Sequence, residues 1–391
     1  MTKLHFNYKD IFRALRLGFS AKKIWLAFVG LLCGLAGYSA LTYLAHLTAG
    51  SDFARIWTEY RLLPFADPLL FPFPWYAWLV YAVGVAFFVS CVLLAGTAVS
   101  KVTYEQLKGD EFYESREAFR FAFKHWASVL VSPLLLVGFI AVLVALGLLT
   151  SLVGWIPHFG ELWLGILAIP SFLAAMFIVY LLLALLTSLL IGPSVVGSTR
   201  NDTFDTVFEV FSCLNEQPAR LPLYVLTVAV LSRIGCGLLA VASSFAGRIS
   251  HAVLRVLPGA KVDEALINAA DHFTITLPDW LPESIRSMCY AFSEFLGLPE
   301  IFATGGQIPV NWSGDILSIL IALAMYAVAL IVIAFGCSIW YSGLTLSFVV
   351  LVQKKDDKNL LEIPEEDELL APVVEVPGRE PGADSLGEGQ Q

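Results

Sequence analysis

Residues 316–352 read ILSILIALAMYAVALIVIAFGCSIWYSGLTLSFVVLV, a run that contains no charged side chain. A helix needs about 20 predominantly apolar residues to cross the hydrocarbon core of a bilayer, and this run exceeds that length. Soluble domains carry about 25% charged residues, whereas this chain of 391 residues carries 15%, with 58% hydrophobic residues. The run therefore predicts a transmembrane helix, and the composition predicts a chain solvated mainly by lipid.

Five more apolar runs of comparable length lie upstream of this one. Together the runs predict six spans, at about residues 24–47, 75–99, 126–153, 163–190, 221–245 and 316–352. Several tryptophans, such as Trp75 and Trp126, lie near the ends of these runs, where indole rings favour the membrane interface. The predicted fold class is an all-α membrane protein, with a polytopic domain over residues 1–352 whose six helices form three hairpins.

A short amphipathic segment precedes each odd-numbered span and predicts an interfacial helix there. The first two segments carry cations on their polar faces, namely Arg13 and Arg16 in one and Arg116, Arg120 and Lys124 in the other. We expect these five side chains to contact the membrane surface, because cations attract anionic lipid headgroups. The third segment carries Asp205 and Glu209 instead, so we expect it to be buried or to contact a basic partner. A unit of one interfacial helix and one hairpin would thus be used three times.

The distribution of lysine and arginine predicts the orientation of the chain. These residues are frequent in the amino-terminal segment, in the loop after the second span and directly after the sixth span. The short loops on the other side carry few of them, so the positive-inside rule places both termini in the cytoplasm. Residues 247–315 then form an extracytoplasmic loop. Residues 353–391 are expected to be a disordered acidic cytoplasmic tail that could dock a protein partner.

Two stretches carry a family resemblance. Residues 203–212 (TFDTVFEVFS) and 217–221 (QPARL) resemble the segment "TDAFDALSRSYSYVYSRPWHYL" of a family of uncharacterised bacterial polytopic inner-membrane proteins. Residues 338–342 (SIWYS) and the end of the last span resemble the "YFWSAATAIYLLLR" span of that family, which an acidic tail follows. The chain departs from the pattern at Gln353, where the family usually has arginine. The resemblance implies a bacterial inner-membrane protein and implies no activity.

Arg233 is the one charged residue near the middle of a predicted span. A central arginine costs about 2.5–3.5 kcal/mol on insertion scales, so its side chain should face the bundle or a wet cavity. Its predicted partners are backbone carbonyls at a proline kink, hydroxyls such as those of Thr187, Ser188 or Ser232, or an anionic ligand. Two interpretations stay open. In the first, the arginine contacts an anion or a lipid headgroup. In the second, it is a structural arginine, or the boundary of the span lies a few residues away.

Patterns typical of catalysis, metal binding and nucleic-acid binding are missing from the sequence. The six cysteines have no paired spacing and the six histidines have no metal-ligand spacing, so we expect no metal and no cofactor. Much of the net charge of −9 comes from the acidic tail, and the sequence indicates no nucleic-acid surface. We therefore expect a non-enzymatic scaffold or partner subunit in the lipid bilayer. The alternative is a small transporter or lipid-handling permease in which Arg233 contacts an anionic group.

Overall fold

The computed structural model describes residues 5–357 and 359–362, apart from residues 258, 274, 276, 279, 297–307 and 310. The described residues are helical and include no β-strand. A 3-10 turn at Tyr8–Arg13 is followed by the helices α1 (Ala14–Gly18), α2 (Ala21–Thr48), α3 (Phe53–Tyr60), α4 (Trp75–Lys108), α5 (Ser115–Lys124), α6 (Trp126–Leu152), α7 (Phe159–Thr199), α8 (Thr203–Glu216), α9 (Arg220–Leu254), α10 (Ala260–Phe273), α11 (Glu283–Leu296) and α12 (Trp312–Asp356).

Six of these helices, α2, α4, α6, α7, α9 and α12, are long and apolar enough to cross a membrane. They coincide with the six predicted spans and pair as the hairpins α2–α4, α6–α7 and α9–α12. The predicted fold class, an all-α multi-pass membrane protein, is confirmed. Most of these helices extend beyond the predicted spans. The longest, α12, has 45 residues and is about 65 Å long, roughly twice the thickness of the hydrocarbon core.

The extra length of α4 has a physical cause in the charged residues where the predicted span ended. Lys101 is buried and forms an ion pair with Glu105 one turn later, at an Nζ–Oε1 distance of 2.5 Å. Because the charge is satisfied within the helix, α4 continues to Lys108. Gly109 then adopts a φ of 114° and ends the helix in the left-handed conformation that glycine favours.

The predicted interfacial helices are present before each hairpin. Each of them packs on a hairpin other than the one that follows it in the sequence. Helix α5 packs on α4 and α2, which form the first hairpin, and α8 packs on α7 and α6, which form the second. The segment formed by the 3-10 turn and α1 packs on α9 and α12, which form the third hairpin. The second and third interfacial segments thus pack on the hairpin that precedes them in the sequence. The first segment packs on the last hairpin, which completes the cycle. This arrangement supports a unit that is used three times.

The core of the molecule is formed by the C-terminal parts of α4, α7 and α12, which all contact one another. Every residue at positions 95–104, 191–198 and 341–352 is buried. Three hydroxyls meet inside this core, one from each helix. Ser194 Oγ lies 3.3 Å from Ser100 Oγ and accepts a hydrogen bond from Thr345 Oγ1 at 3.4 Å. We refer to these three helix ends as the central core.

Both ends of the described chain lie at the same end of the bundle, which we call the terminal end. Ile11, Leu360 and Leu361 are buried in one hydrophobic cluster. At the opposite end, residues of the predicted loop 247–315 form the last turns of α9 together with α10 and α11. Arg61, in the α2–α4 loop, forms an ion pair of 2.8 Å with Asp271 on α10, so the two loops are joined there.

The boundary predicted for the tail is corrected by the structure. The tail was expected to begin at residue 353, but α12 continues through Asp356. Lys355 does not end the helix, because its side chain is 5% exposed and pairs with Glu209 on α8. After a left-handed turn at Asp357, Leu360 and Leu361 pack into the hydrophobic cluster of the terminal end. Residues 363–391 lie outside the described residues.

Candidate functional site

Small and polar side chains fix the flank of α9 that lies beside Arg233. Ser232 Oγ donates a hydrogen bond to the carbonyl oxygen of Gly336 on α12 at 2.9 Å. Gly235 packs so closely on Ile339 that a Cβ atom added to the glycine would overlap the isoleucine side chain. Cys236 is also buried against α12, with Sγ 3.5 Å from the carbonyl oxygen of Val332. This flank of α9 is therefore closed by α12.

Arg233 lies at the edge of that buried flank and is partly exposed. Its guanidinium group lies over Gly237, where an added Cβ atom would be 2.9 Å from Arg233 Nη1. The positions that follow around the helix surface are apolar and exposed, with Ile234 at 47% and Leu238 at 67%. Since Gly237 has no side chain, the arginine can extend along the helix toward this exposed face. The charge is thus presented at the surface of the bundle.

The contacts of α9 also give the depth of Arg233. Gly235 packs on Leu15 of α1 as well as on Ile339, and Ile339 in turn packs on Gly18 at the end of α1. Helix α2 begins at Ala21, so Arg233 lies level with the end of the first interfacial segment. This placement favours the interpretation in which the boundary of the fifth span is displaced. The arginine is the fourteenth of the 35 residues of α9, closer to the terminal end of this helix than to its other end.

The three hydroxyls predicted to meet Arg233 have other partners. Ser232 bonds to α12 as described above, and Thr187 Oγ1 donates to the carbonyl oxygen of Leu183 in its own helix at 2.8 Å. Ser188 Oγ lies 3.3 Å from Ser132 Oγ on α6. None of these bonds involves the guanidinium group. The hydroxyls of Ser232 and Ser188 therefore join the two helices of their own hairpins, and that of Thr187 bonds within its own helix.

The cations predicted to contact the membrane lie on exposed surfaces of the two basic interfacial segments. Arg16 is exposed, and Arg13 is partly exposed with an ion pair of 3.5 Å to Asp10. On α5, Ala118, Phe121 and Ala122 are buried, whereas Arg116, Arg120 and Lys124 are all exposed. Because the three cations follow one another at intervals of four residues, they share one face of the helix. We call them the basic face of α5.

The acidic interfacial helix α8 has its basic partner in the same chain. Lys355 Nζ lies 2.9 Å from Glu209 Oε1 and 2.9 Å from Ser212 Oγ. The apolar side of α8 packs on the second hairpin, with Phe211 beside a cluster that includes Leu136 and Leu181. The expected basic contact is present at Glu209, whereas the expected burial is limited to Thr206, Val210 and Cys213 on the packed side of the helix, and Asp205 is exposed. The sequence did not identify Lys355, because the lysine had been assigned to the tail.

Two buried lysines were also missed by the sequence. Lys101 Nζ lies 4.9 Å from the ring centroid of Phe121 on α5, so a buried cation links α4 to α5. Lys23 is fully buried and donates a hydrogen bond of 2.9 Å to the carbonyl oxygen of Leu17. That bond satisfies a free carbonyl at the end of α1, as basic side chains often do. The pair Lys101 and Glu105 could have been found, because opposite charges four residues apart support a helix.

A cavity of about 300 Å³ opens between the start of α2 and the α4–α5 loop. It is lined by Ser20, Ala21, Lys22, Val102, Gln106, Asp110, Glu111 and Tyr113. Lys22 Nζ donates to the carbonyl oxygen of Glu111 at 3.2 Å. The lining combines one lysine with two acidic residues. The charges of the cavity therefore favour neither an anionic nor a cationic ligand.

Comparisons with known proteins add no relative: no family model, curated protein or solved structure matches this chain. Within the part of the chain that the structure describes, no group of three His, Cys, Asp or Glu residues is arranged to hold a metal ion. The fold defines the chain as a multi-pass membrane protein with a closed central core. Its candidate sites are the surface arginine of α9 and the basic faces of two interfacial segments.

Proposed function

We propose that this protein is a non-enzymatic membrane scaffold or partner subunit. The observation that carries the proposal is the central core, in which three long helices pack directly on one another through Ser100, Ser194 and Thr345. A polar path between the hairpins would have to pass through these contacts. Close packing on small and hydroxyl-bearing residues is typical of helices that associate permanently in a bilayer.

The proposed location is the bacterial inner membrane, with both termini in the cytoplasm. The terminal end carries the exposed cations Arg16, Lys22, Arg116, Arg120 and Lys124. Lysine and arginine concentrate on the cytoplasmic side of membrane proteins, which supports this orientation. The resemblance of residues 203–221 to bacterial inner-membrane proteins supports the location.

Anionic lipid is the proposed ligand of this end of the molecule. Each cation near an anionic leaflet contributes about 1 kcal/mol of attraction. Exposed aromatic side chains accompany the cations, with Phe19 exposed at 77% and Phe123 at 62%. A surface that combines cations with exposed aromatic rings suits the boundary between headgroups and acyl chains.

A second candidate function, a lipid-handling permease, is favoured by one feature. Arg233 is partly exposed beside an apolar surface, where it could contact a lipid headgroup. The closed packing of Ser232, Gly235 and Cys236 on α12 supports a contact at the bundle surface more than a path through the bundle. We therefore propose that Arg233 belongs to the lipid-binding surface of a scaffold.

The scaffold proposal is tested by purification of the full chain and of a chain that ends at Glu362. This truncation keeps Leu360 and Leu361, which pack in the core, and removes only the acidic segment. We expect a partner protein to co-purify in a fixed ratio with the full chain and to be lost with the truncated chain. A second variant that retains the full length but neutralises Glu365, Glu366, Asp367 and Glu368 separates the effect of charge from that of length. An identical set of co-purifying proteins for all three chains would contradict the proposal.

A further inference from the structure

The segment after α12 is fixed to the central core at a defined place. Leu360 and Leu361 are buried, and the Tyr104 hydroxyl donates a hydrogen bond of 2.8 Å to the carbonyl oxygen of Leu360. The amide of Leu361 is bonded to Asn359 Oδ1 at 3.2 Å. The chain therefore leaves the described structure beside the end of α4 and not from the end of α12. We call residues 359–362 the tail root.

The tail root lies two side chains away from α5. Tyr104, which holds Leu360, and Phe121, which lies on α5, both face the buried Lys101 side chain. Lys101 Nζ is 5.4 Å from the centroid of the Tyr104 ring and 4.9 Å from the centroid of the Phe121 ring. Arg120 directly precedes Phe121 in the sequence, and Lys124 follows one turn later. Phe121 lies on the buried side of α5 and the three cations lie on its exposed side, so the tail root and the basic face are on the same end of the molecule with α5 between them.

The sequence after the tail root complements this face in charge and in length. Glu365, Glu366, Asp367 and Glu368 form an unbroken acidic run, and Arg379 is the one cation between residues 363 and 391. Side chains four residues apart on a helix are about 6 Å apart, so the three cations of α5 extend over about 12 Å. Four extended residues cover about 13 Å. The run starts five residues after Leu360, which gives it a reach of about 17 Å.

We propose that the acidic run Glu365–Glu368 binds the basic face of α5 in the same chain and competes there with anionic lipid. The inference rests on the lipid contact proposed above and adds its regulation. Because the tail root tethers the acidic run to the same chain, its encounter with Arg116, Arg120 and Lys124 is intramolecular, which favours binding over an encounter between separate molecules. Release of the run, through binding of a basic partner or through high salt, exposes the basic face to the bilayer.

Zero-length carbodiimide cross-linking of the full chain tests the docking directly. In uncharged detergent at low salt, we expect an amide bond between Lys124 and one carboxylate of Glu365–Glu368, identified by peptide mass spectrometry. Lys261, an exposed lysine on α10 at the far end, is the internal control and should form no such bond. Cross-links of the acidic run that miss Lys124, or that occur equally at Lys261, would overturn the proposal.

Lipid retention tests the competition. The full chain, a chain ending at Glu362 and the variant E365Q/E366Q/D367N/E368Q are reconstituted in mixtures of phosphatidylcholine and phosphatidylglycerol and analysed by native mass spectrometry. We expect the truncated and neutralised chains to retain severalfold more phosphatidylglycerol than the full chain, with the difference lost in high salt. Equal retention of phosphatidylglycerol by the three chains would overturn the competition. If all three chains show no preference for phosphatidylglycerol over phosphatidylcholine, the proposed lipid function fails, whereas the cross-link still decides the docking.

Discussion

Ser194 on α7 lies 3.3 Å from Ser100 on α4, and this contact joins the second hairpin to the first within the central core. Thr345 on α12 donates to the same Ser194 hydroxyl and brings in the third hairpin. All three residues are buried, so their hydroxyls bond to each other and to neighbouring backbone in place of water. The closed arrangement of the three hairpins depends on such close approaches between long helices.

A test of close packing is available in the first hairpin. Gly30 on α2 has no room for a side chain, because an added Cβ atom would overlap Ala95 on α4. We expect Gly30→Leu to lower the free energy of unfolding by about 1–3 kcal/mol, the usual cost of overpacking. The measurement is thermal unfolding in mild detergent. Gly138→Leu is the matched control, since a Cβ atom added to Gly138 meets nothing within 4 Å; equal losses in the two variants would contradict the packing described here.

The ion pair between Glu209 and Lys355 should stabilise the end of α12. Glu209→Gln removes the closer of the two carboxylates that pair with Lys355, whose side chain is 5% exposed, and leaves only Asp356 at 3.4 Å; we expect a loss of about 2 kcal/mol in the free energy of unfolding. The double variant E209L/K355L should recover most of that loss, because it removes both charges from the buried site. Chemical unfolding of the two variants and of the native chain measures the difference. A double variant less stable than Glu209→Gln would show that the pair has a different role.

The hydrogen bond from Tyr104 to Leu360 should hold the tail root in the core. Tyr104→Phe removes the donor and leaves the carbonyl oxygen of Leu360 without it, at a cost of about 1–2 kcal/mol. We expect faster cleavage between α12 and residue 363 in limited proteolysis. Tyr76→Phe on the same helix is a suitable control, because the exposed Tyr76 hydroxyl makes only a long 3.5 Å contact to Thr48. Equal cleavage rates for the native chain and Tyr104→Phe would contradict the assigned anchor.

The end of the bundle opposite the terminal end, which contains α10, should lose stability as the pH falls. Burial and the neighbouring Arg61 lower the pKa of His272, although Asp271 and Asp315 act in the opposite direction. The unfolded chain therefore binds the proton more readily than the folded chain, so stability is full above the ordinary histidine pKa and decreases as the pH drops through the lowered value. Unfolding temperatures measured between pH 7.5 and 5 should show this loss, and His272→Gln should reduce it. A pH dependence unchanged in the variant would assign the effect to other groups.

The sequence predicted the helices well because lipid imposes a strong condition on them. Runs such as residues 316–352 have no alternative to a membrane span, and the stripe at Phe204, Phe208 and Phe211 has the spacing of an amphipathic helix. The ends of helices were less predictable, since a buried ion pair such as Lys101–Glu105 lets a helix continue where the apolar run stops. Residue spacing within one helix contains no information about a partner on another helix. The pairing of Glu209 with Lys355 could therefore not be predicted from the sequence.

Arg233 illustrates the same limit for the candidate site. The apolar run from residue 221 to 245 placed the arginine near its centre, whereas the structure extends α9 to Leu254 and sets Gly235 against Leu15 of the first interfacial segment. The depth of a residue depends on which other elements surround the helix. The hydroxyls of Thr187 and Ser188 were compatible with Arg233 in chemistry, but their partners lie on α7 and α6.

The most direct test of the central claim, a closed scaffold that binds anionic lipid at its basic surface, is native mass spectrometry of the protein purified in mild detergent. The native chain is compared with Arg233→Leu and with Arg233→Lys, which keeps the charge. The account predicts a bound anionic phospholipid in the native chain, a lower retention in Arg233→Leu and little change in Arg233→Lys. Equal retention in all three chains, or no bound anionic lipid in any of them, would contradict the claim.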